Sequence, residues 1–205
     1  MRITGGERKG LKVMQQLKDE ELMLKYQQGE ASVMSELVMR YKNPIYHFTL
    51  RLCKNSSEAE DIAQEVFLRL HQVKDQYRPI GKFSTWIFSI AHNLTVSRLR
   101  KRKWWVIWPR KNDETEELVD FQSPDPSPKD IATENEISQF VQKNIQSLPF
   151  LQREALILRE YEKLDYQEIG KILKKSLGTV KTLIYRARQN LKIKLLLLGE
   201  EFKEV

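Results

Sequence analysis

The chain has 205 residues, enough for one large domain or two small ones, and 31% of them are charged. Its 35 Lys and Arg against 28 Asp and Glu give a net charge of +7, which points to a polyanionic partner, nucleic acid first. No stretch reaches the roughly 18 apolar residues of a membrane span. The single Cys53 excludes an internal disulfide framework and a cysteine-based metal site, which fits a reducing cytoplasm.

Residues 1–16 are expected to form an amino-terminal tail, and they lack the apolar core of a signal peptide. We therefore expect a cytoplasmic protein without membrane insertion. Residues 17–105 have a helical period and form a first domain. Pro44 and the segment at residues 78–81 (RPIG) are the main breaks in that period.

One predicted helix of the first domain has a polar face opposite its apolar stripe. The stripe comprises Ala59, Ile62, Ala63, Val66, Phe67, Leu70 and Val73. Asn55, Ser56 or Ser57 can cap the start of this helix. The opposite face presents residues three and four apart, namely Asp61, Gln64 and Glu65.

The next predicted helix has its own stripe, made of Phe83, Ile87, Ile90, Ala91 and Leu94. Trp86 and Asn93 lie on a different face, and a basic run that includes Arg98, Arg100 and Lys101 follows. An aromatic ring, an amide and cations suit single-stranded DNA, through stacking, base-edge bonds and phosphate neutralisation. These residues are equally compatible with a core tryptophan and a solvated helix end.

Residues 106–134 are predicted to be a flexible linker, because they are acidic and contain four prolines without a sustained period. Three tryptophans lie around its start, at Trp104, Trp105 and Trp108. Either they pack back on the first domain, or they form an exposed anchor for a partner protein.

Residues 135–195 are again helical in pattern, and residues 165–194 read as a DNA-binding helix-turn-helix. This segment holds eight Lys or Arg against two acidic residues. Leu177 is expected in the stripe of the second helix, and Thr179 at its start. Side chains suited to bases and phosphates lie off that stripe: Thr179, Lys181, Thr182, Tyr185, Arg186, Arg188 and Gln189. An ordinary helical hairpin with a solvated basic face is the alternative, and residues 196–205 are expected to be a tail.

Four segments in this order resemble bacterial RNA polymerase sigma factors of the sigma-70 family, in the extracytoplasmic-function group. They are residues 59–68 (AEDIAQEVFL), 83–93 (FSTWIFSIAHN), 148–158 (LPFLQREALIL) and 166–191. The resemblance implies an all-α fold of two small domains, region 2 and region 4, joined by the acidic linker. It also implies a dissociable promoter-specificity subunit rather than an enzyme, without cofactor, metal, small-molecule substrate or catalytic residues.

The resemblance assigns partners to the three surfaces. Asp61, Gln64 and Glu65 match the surface that docks on the clamp helices of the largest polymerase subunit. The residues that match the segment for recognition and melting of the −10 element are Trp86, Asn93, Arg98, Arg100 and Lys101. Recognition of the −35 duplex falls to Thr179, Lys181, Thr182, Tyr185, Arg186 and Arg188. The flap of the second-largest subunit and an anti-sigma protein are further expected partners.

The helix-turn-helix departs from the family pattern at two places. Lys174, Lys175 and Ser176 stand where the family often has glycine, an apolar residue and proline. If the turn needs a left-handed residue, Lys174 costs of order 1 kcal/mol there. Gly170 stands where alanine is common, which either permits close packing or weakens the helix.

A free-standing helix-turn-helix regulator is the alternative function. Such a regulator needs neither the face with Asp61, Gln64 and Glu65 nor the segment from Trp86 to Asn93. A sigma factor needs both.

Overall fold

The computed structural model describes residues 16–106 and 134–201, and the chain divides into two compact units between Lys103 and Trp104. All regular structure in the described residues is helical, which confirms the all-α prediction. The first unit contains α1 (Asp19–Gln27), α2 (Val33–Cys53), α3 (Ser56–Val73), a 3₁₀ turn (Lys74–Gln76) and α4 (Phe83–Val106). The second contains α5 (Glu134–Gln146), α6 (Phe150–Glu160), α7 (Tyr166–Leu173) and α8 (Leu177–Glu201).

The predicted amino-terminal tail and linker lie almost entirely outside the described residues, as do Trp108 and the side chains of Trp104 and Trp105. Helix α8 continues past residue 195 to Glu201, into the segment expected to be a tail.

The core of the first unit forms where α2 packs against α1 and α3. The predicted stripe of α3 faces this core: Ala59, Ile62, Ala63, Val66 and Leu70 are buried. Among the three candidate caps, the Asn55 side chain accepts the hydrogen bond from the Glu58 backbone N–H at 2.8 Å. Cys53 is buried as a small apolar residue, as expected.

Pro44 does not break a helix, contrary to the sequence prediction. It lies in the interior of α2, which runs without interruption to Cys53. An interior proline costs about 3 kcal/mol through its missing N–H and its ring. Tyr41, Ile45 and Phe48 around it are buried on one face. Each large apolar side chain contributes about 1.5–3 kcal/mol on burial, so packing outweighs the local cost.

Helix α1 is fixed to the rest of the unit by two carboxylates. The Tyr41 hydroxyl donates to Asp19 at 2.5 Å, and the Arg40 guanidinium contacts the same carboxylate at 2.6 Å. Glu20 accepts the backbone N–H of Phe83 at 2.7 Å, which satisfies a free donor at the start of α4. Burial, followed by the hydrogen bond to Asp19, raises the pKa of Tyr41.

In the second unit α6, α7 and α8 pack around a small apolar core. Asp165 caps α7 in a capping box with Glu168. Two details of the prediction for α8 are wrong. The helix begins at Leu177 rather than Thr179, because the Ser176 hydroxyl accepts the Thr179 N–H at 3.2 Å. Leu177 is 41% exposed, since it occupies the first helical position and not the buried stripe.

Candidate nucleic-acid interface

The polar face of α3 is exposed as predicted. Asp61, Gln64 and Glu65 all lie on the solvent side of this helix, opposite its buried stripe. Leu68 shares their face and is 65% exposed, although the sequence analysis did not single it out. Its spacing of three from Glu65 and seven from Asp61 was the available signal. The face therefore combines two carboxylates and an amide with one exposed leucine.

Helices α3 and α4 are linked by an ion pair at this face. Arg98 Nη2 on α4 lies 3.1 Å from Glu65 Oε2 on α3, and both side chains are about half exposed. The sequence analysis placed these two residues in separate surfaces. The structure brings them together, so the edge of the acidic face borders the basic end of α4.

Trp86 is half-buried, which is between the core position and the exposed position that the sequence left open. Its ring centroid lies 5.1 Å from that of Tyr77 and 6.0 Å from that of Phe83, in edge-on and tilted arrangements. Such contacts fix the orientation of the indole. Farther along α4, Asn93, Arg100 and Lys101 are exposed.

The segment at residues 78–81 leads into α4 and carries an exposed apolar side chain. Ile80 is 89% exposed, and its backbone N–H donates to the carbonyl of Arg78 at 2.8 Å. The Arg78 guanidinium donates to the carbonyls of Asp75 and Tyr77, which fixes the start of the segment. The sequence analysis read this segment only as a helix break, and nothing in the local pattern distinguished Ile80.

The turn of the helix-turn-helix contains the left-handed residue that the sequence raised as a possibility. Lys174 has φ 52° and ψ 44° and ends α7. The chain then folds back, and the Lys175 N–H donates to the Gly170 carbonyl at 3.0 Å. A Cβ on Gly170 would lie 2.9 Å from the Lys175 carbonyl oxygen. Close packing, rather than a weak helix, is therefore the structural consequence of Gly170.

The outer face of α8 is polar and cationic. Its exposed side chains in the first turns are Thr179, Lys181, Thr182, Tyr185 and Arg186. The Tyr185 side chain is 64% exposed, and the Thr182 hydroxyl donates to the Gly178 carbonyl at 3.0 Å. Gln189 is exposed one turn beyond Tyr185 and extends the same face. These side chains have the donors and rings that base edges and phosphates accept.

Arg188 has a different environment from its neighbours on α8. Its Nη2 lies 2.6 Å from Glu160 Oε1, at the end of α6. This contact, above all its hydrogen bond, raises the pKa of Arg188. The sequence pattern predicts that Arg188 faces DNA with its neighbours, whereas in the structure its guanidinium contacts a carboxylate of the same unit.

Within the described ranges, no helix is long and apolar enough to cross a membrane. No group of three or more His, Cys, Asp or Glu among the described residues could hold a metal ion.

A helix-turn-helix with a basic outer face, in a chain with a second helical unit, is typical of DNA-binding proteins that act in transcription. Family models match both units: Sigma-70 region 2 over residues 37–105, and Sigma-70 region 4 over residues 141–191. The sigma factor SigW of Bacillus subtilis, of the extracytoplasmic-function group, is 36% identical over 180 residues, which is 84% of this chain and 96% of the relative. The sigma-H factor of Pseudomonas aeruginosa is 32% identical, over 86% of this chain and 93% of the relative.

Solved structures share the fold. CnrH, in complex with the cytosolic domain of CnrY, matches with a TM-score of 0.63 at 19% identity, over 86% of this chain and 96% of that one. The sigma factor RpoE of Bartonella quintana, in complex with the anti-sigma factor NepR, matches with a TM-score of 0.62 at 24% identity, over 78% and 95%. This chain therefore belongs to the extracytoplasmic-function sigma factors of the sigma-70 family.

Proposed function

We propose that this sigma factor binds core RNA polymerase and directs initiation at promoters with −10 and −35 elements, including strand separation. The observation that carries the proposal is the division of labour between the two units. The first exposes an acidic and apolar face on α3 beside a basic end of α4. The second exposes a cationic recognition helix. Polymerase performs the chemistry, and this chain selects the site.

The docking surface on polymerase is assigned to Asp61, Gln64 and Glu65, with Leu68 as an apolar contact beside them. These four side chains are exposed on one face of α3. In a protein with a net charge of +7, a carboxylate-bearing face repels DNA phosphates and favours a protein partner. The clamp helices of the largest subunit are the proposed partner of this face, and the flap of the second-largest subunit that of the second unit.

Contacts to the −10 element are assigned to α4. The half-buried Trp86 presents part of its ring in a fixed orientation, and the exposed Asn93 amide can both donate to and accept from a base edge. Arg98, Arg100 and Lys101 supply charge for the phosphates of the strand. An extruded base gains stacking and hydrogen bonds that offset part of its unstacking cost.

Contacts to the −35 duplex are assigned to the outer face of α8. Lys181, Thr182 and Arg186 are exposed there and carry donors that can reach base edges and phosphates in the major groove. Thr179 lies in the first turn of α8 and is exposed on the same face. Tyr185 adds an exposed ring to the same face.

An anti-sigma protein is a further proposed partner. One solved structural relative is a complex of a sigma factor with the anti-sigma factor NepR. An inhibitor of this chain would cover the exposed face of α3 or the outer face of α8, since these are the surfaces that polymerase and promoter need.

Strand separation is tested by permanganate footprinting of promoter fragments with core polymerase and this protein. Thymines near the −10 element become reactive when the strands separate. We expect reactivity only when protein and polymerase are both present, and its loss for Asn93→Ala with polymerase binding intact. Reactivity with the protein alone, or none with both, would contradict the proposal. Duplex binding by the protein alone, without any effect on polymerase, would favour the free-standing regulator.

A further inference from the structure

The second half of α8 makes polar contacts within its own unit. Three polar contacts join it to α6 and the residues before α6. Arg188 Nη2 lies 2.6 Å from Glu160 Oε1, and the Asn190 amide donates to Gln152 at 3.1 Å. The Lys194 ammonium donates to the Ser147 hydroxyl. The outward-facing residues of the first turns, up to Arg186, precede this series.

Helical geometry separates Arg186 from Arg188. Two residues apart on an α-helix correspond to a rotation of about 200°, so the two arginines occupy opposite flanks. Arg186 is exposed and makes no contact with Glu160, whereas Arg188 reaches it.

Glu160 is placed where a carboxylate needs a cation. It is the last residue of α6, at the negative end of the helix, where an acidic side chain is unfavourable by itself. Arg188 supplies the opposite charge from α8. The neighbouring Arg159 lies over the Tyr166 ring at 5.0 Å and donates to the Leu164 carbonyl at 2.9 Å, so the end of α6 is also fixed to α7.

We infer that Arg188 is a positioning residue: its ion pair with Glu160 sets the orientation of α8 against α6, and the residue does not contact DNA. This inference deepens the proposed function and rests on it. The residues that read the −35 element are then those up to Arg186, together with Gln189 on the same outer face. The discrimination between promoters depends on Glu160 as much as on Arg188, although Glu160 cannot attract DNA.

A substitution at Glu160 distinguishes a positioning role of Arg188 from a direct contact of Arg188 with DNA. If Arg188 binds DNA, Glu160→Gln releases the guanidinium and removes a negative charge, so binding is unchanged or tighter. If Arg188 positions α8, Glu160→Gln removes one side of the pair, and recognition becomes worse. The two roles predict opposite effects from the same substitution.

The experiment uses the full chain with bacterial core polymerase and a promoter selected from a random library by the wild-type protein. The readout is the ratio of transcription from this promoter to transcription from the same fragment with a scrambled −35 segment. The variants are Glu160→Gln, Arg188→Ala, both together, and the charge exchange Glu160→Arg with Arg188→Glu. Lys192→Ala removes an exposed cation from the same helix and serves as the matched control. Thermal melting of each variant reports folding.

We expect each single substitution to lower the ratio about two- to fivefold. This range corresponds to the free energy that an exposed ion pair contributes. The double variant should be no worse than either single one, and the charge exchange should recover part of the ratio. Lys192→Ala should leave the ratio unchanged.

An unchanged or higher ratio for Glu160→Gln would overturn the inference, and so would additive losses in the double variant. Lower melting temperatures with unchanged ratios would reduce the pair to a structural role and overturn it as well. Failure of the wild type to direct initiation would instead overturn the proposed function, and this inference with it.

Discussion

Glu65 and Arg98 form an ion pair between α3 and α4, with 3.1 Å between carboxylate and guanidinium. The pair joins the proposed polymerase surface to the proposed −10 surface. Exposed pairs of this kind contribute about 0–1 kcal/mol, so a partner can replace either member at small cost. If polymerase binds the proposed docking face through the Glu65 carboxylate, the Arg98 guanidinium is left available to DNA.

The combined substitution of Asp61 and Gln64 by alanine should weaken binding to core polymerase, because both side chains are exposed on the proposed docking face. Binding of duplex DNA by the second unit should not change. Competition with a labelled sigma factor for core polymerase measures the effect. Asp75→Ala is the matched control, since Asp75 is an exposed carboxylate in the 3₁₀ turn, outside α3. Unchanged affinity of the double variant would remove this face from the proposal.

Arg186→Ala should weaken recognition of the −35 duplex by about 1–3 kcal/mol, the usual value of a good base contact. Transcription from promoters with intact and scrambled −35 elements, in the presence of core polymerase, measures the loss. Equal activity on both promoters for the wild type and for the variant would contradict a base contact by Arg186.

Lys174→Gly should stabilise the second unit by about 1 kcal/mol, because Lys174 occupies the left-handed region, where glycine has no Cβ penalty. Lys174→Ala is the matched control: it removes the same charge and keeps the strain. Thermal melting should therefore rise for glycine and not for alanine. A higher melting temperature for both variants would show that the charge, and not the backbone, is responsible.

Gly170→Ala should destabilise the second unit, although alanine gains about 1 kcal/mol of helix propensity. The new Cβ would lie 2.9 Å from the backbone oxygen of Lys175, so the turn must shift, at a cost of about 1–3 kcal/mol. Gly178→Ala meets nothing closer than 4.0 Å and is the control. Denaturant unfolding of both variants tests this, and a more stable Gly170→Ala would contradict the packing described here.

Tyr77→Phe should stabilise the first unit by about 1 kcal/mol at neutral pH. The Tyr77 hydroxyl is buried and has no hydrogen-bond partner among the described residues, so its removal relieves a desolvation cost. Tyr41→Phe should do the opposite, because the Tyr41 hydroxyl donates to Asp19 at 2.5 Å. Equal effects of the two substitutions on unfolding would contradict this contrast.

We expect the same two tyrosines to make the first unit less stable at alkaline pH. Burial, followed by the charges of Glu20 and Asp19, raises the pKa of Tyr77 to about 12, and the pKa of Tyr41 is also raised. A phenol with a raised pKa in the folded state stabilises fully below its unfolded pKa of about 10, and this contribution declines above that pH. The free energy of unfolding should thus fall between pH 10 and 12. The fall should be smaller in Tyr77→Phe, as urea unfolding at each pH would show.

Local patterns predicted much of this molecule. The stripe of α3 and the exposure of Asp61, Gln64 and Glu65 follow from helical periodicity. The left-handed conformation of Lys174 was raised only as a condition, through the glycine that the family often has there. The errors have long-range or competing causes. Pro44 remains helical because the residues around it are buried, which local propensity does not include.

The sequence could not predict the environment of Arg188, for a related reason. Its partner Glu160 is 28 residues away in the sequence, and no local pattern encodes their contact. Likewise, the Glu65–Arg98 pair joins two helices whose surfaces the sequence presents separately. Periodicity determines which side chains face outward, and the packing of helices determines which of them meet.

Run-off transcription with purified core polymerase on a library of promoter fragments, with and without this protein, decides whether the chain selects promoters for polymerase. We expect initiation at discrete sites only when the protein is added, with two shared upstream elements that Asn93→Ala and Arg186→Ala affect separately. Identical transcripts with and without the protein, despite binding of the protein to duplex DNA, would contradict it.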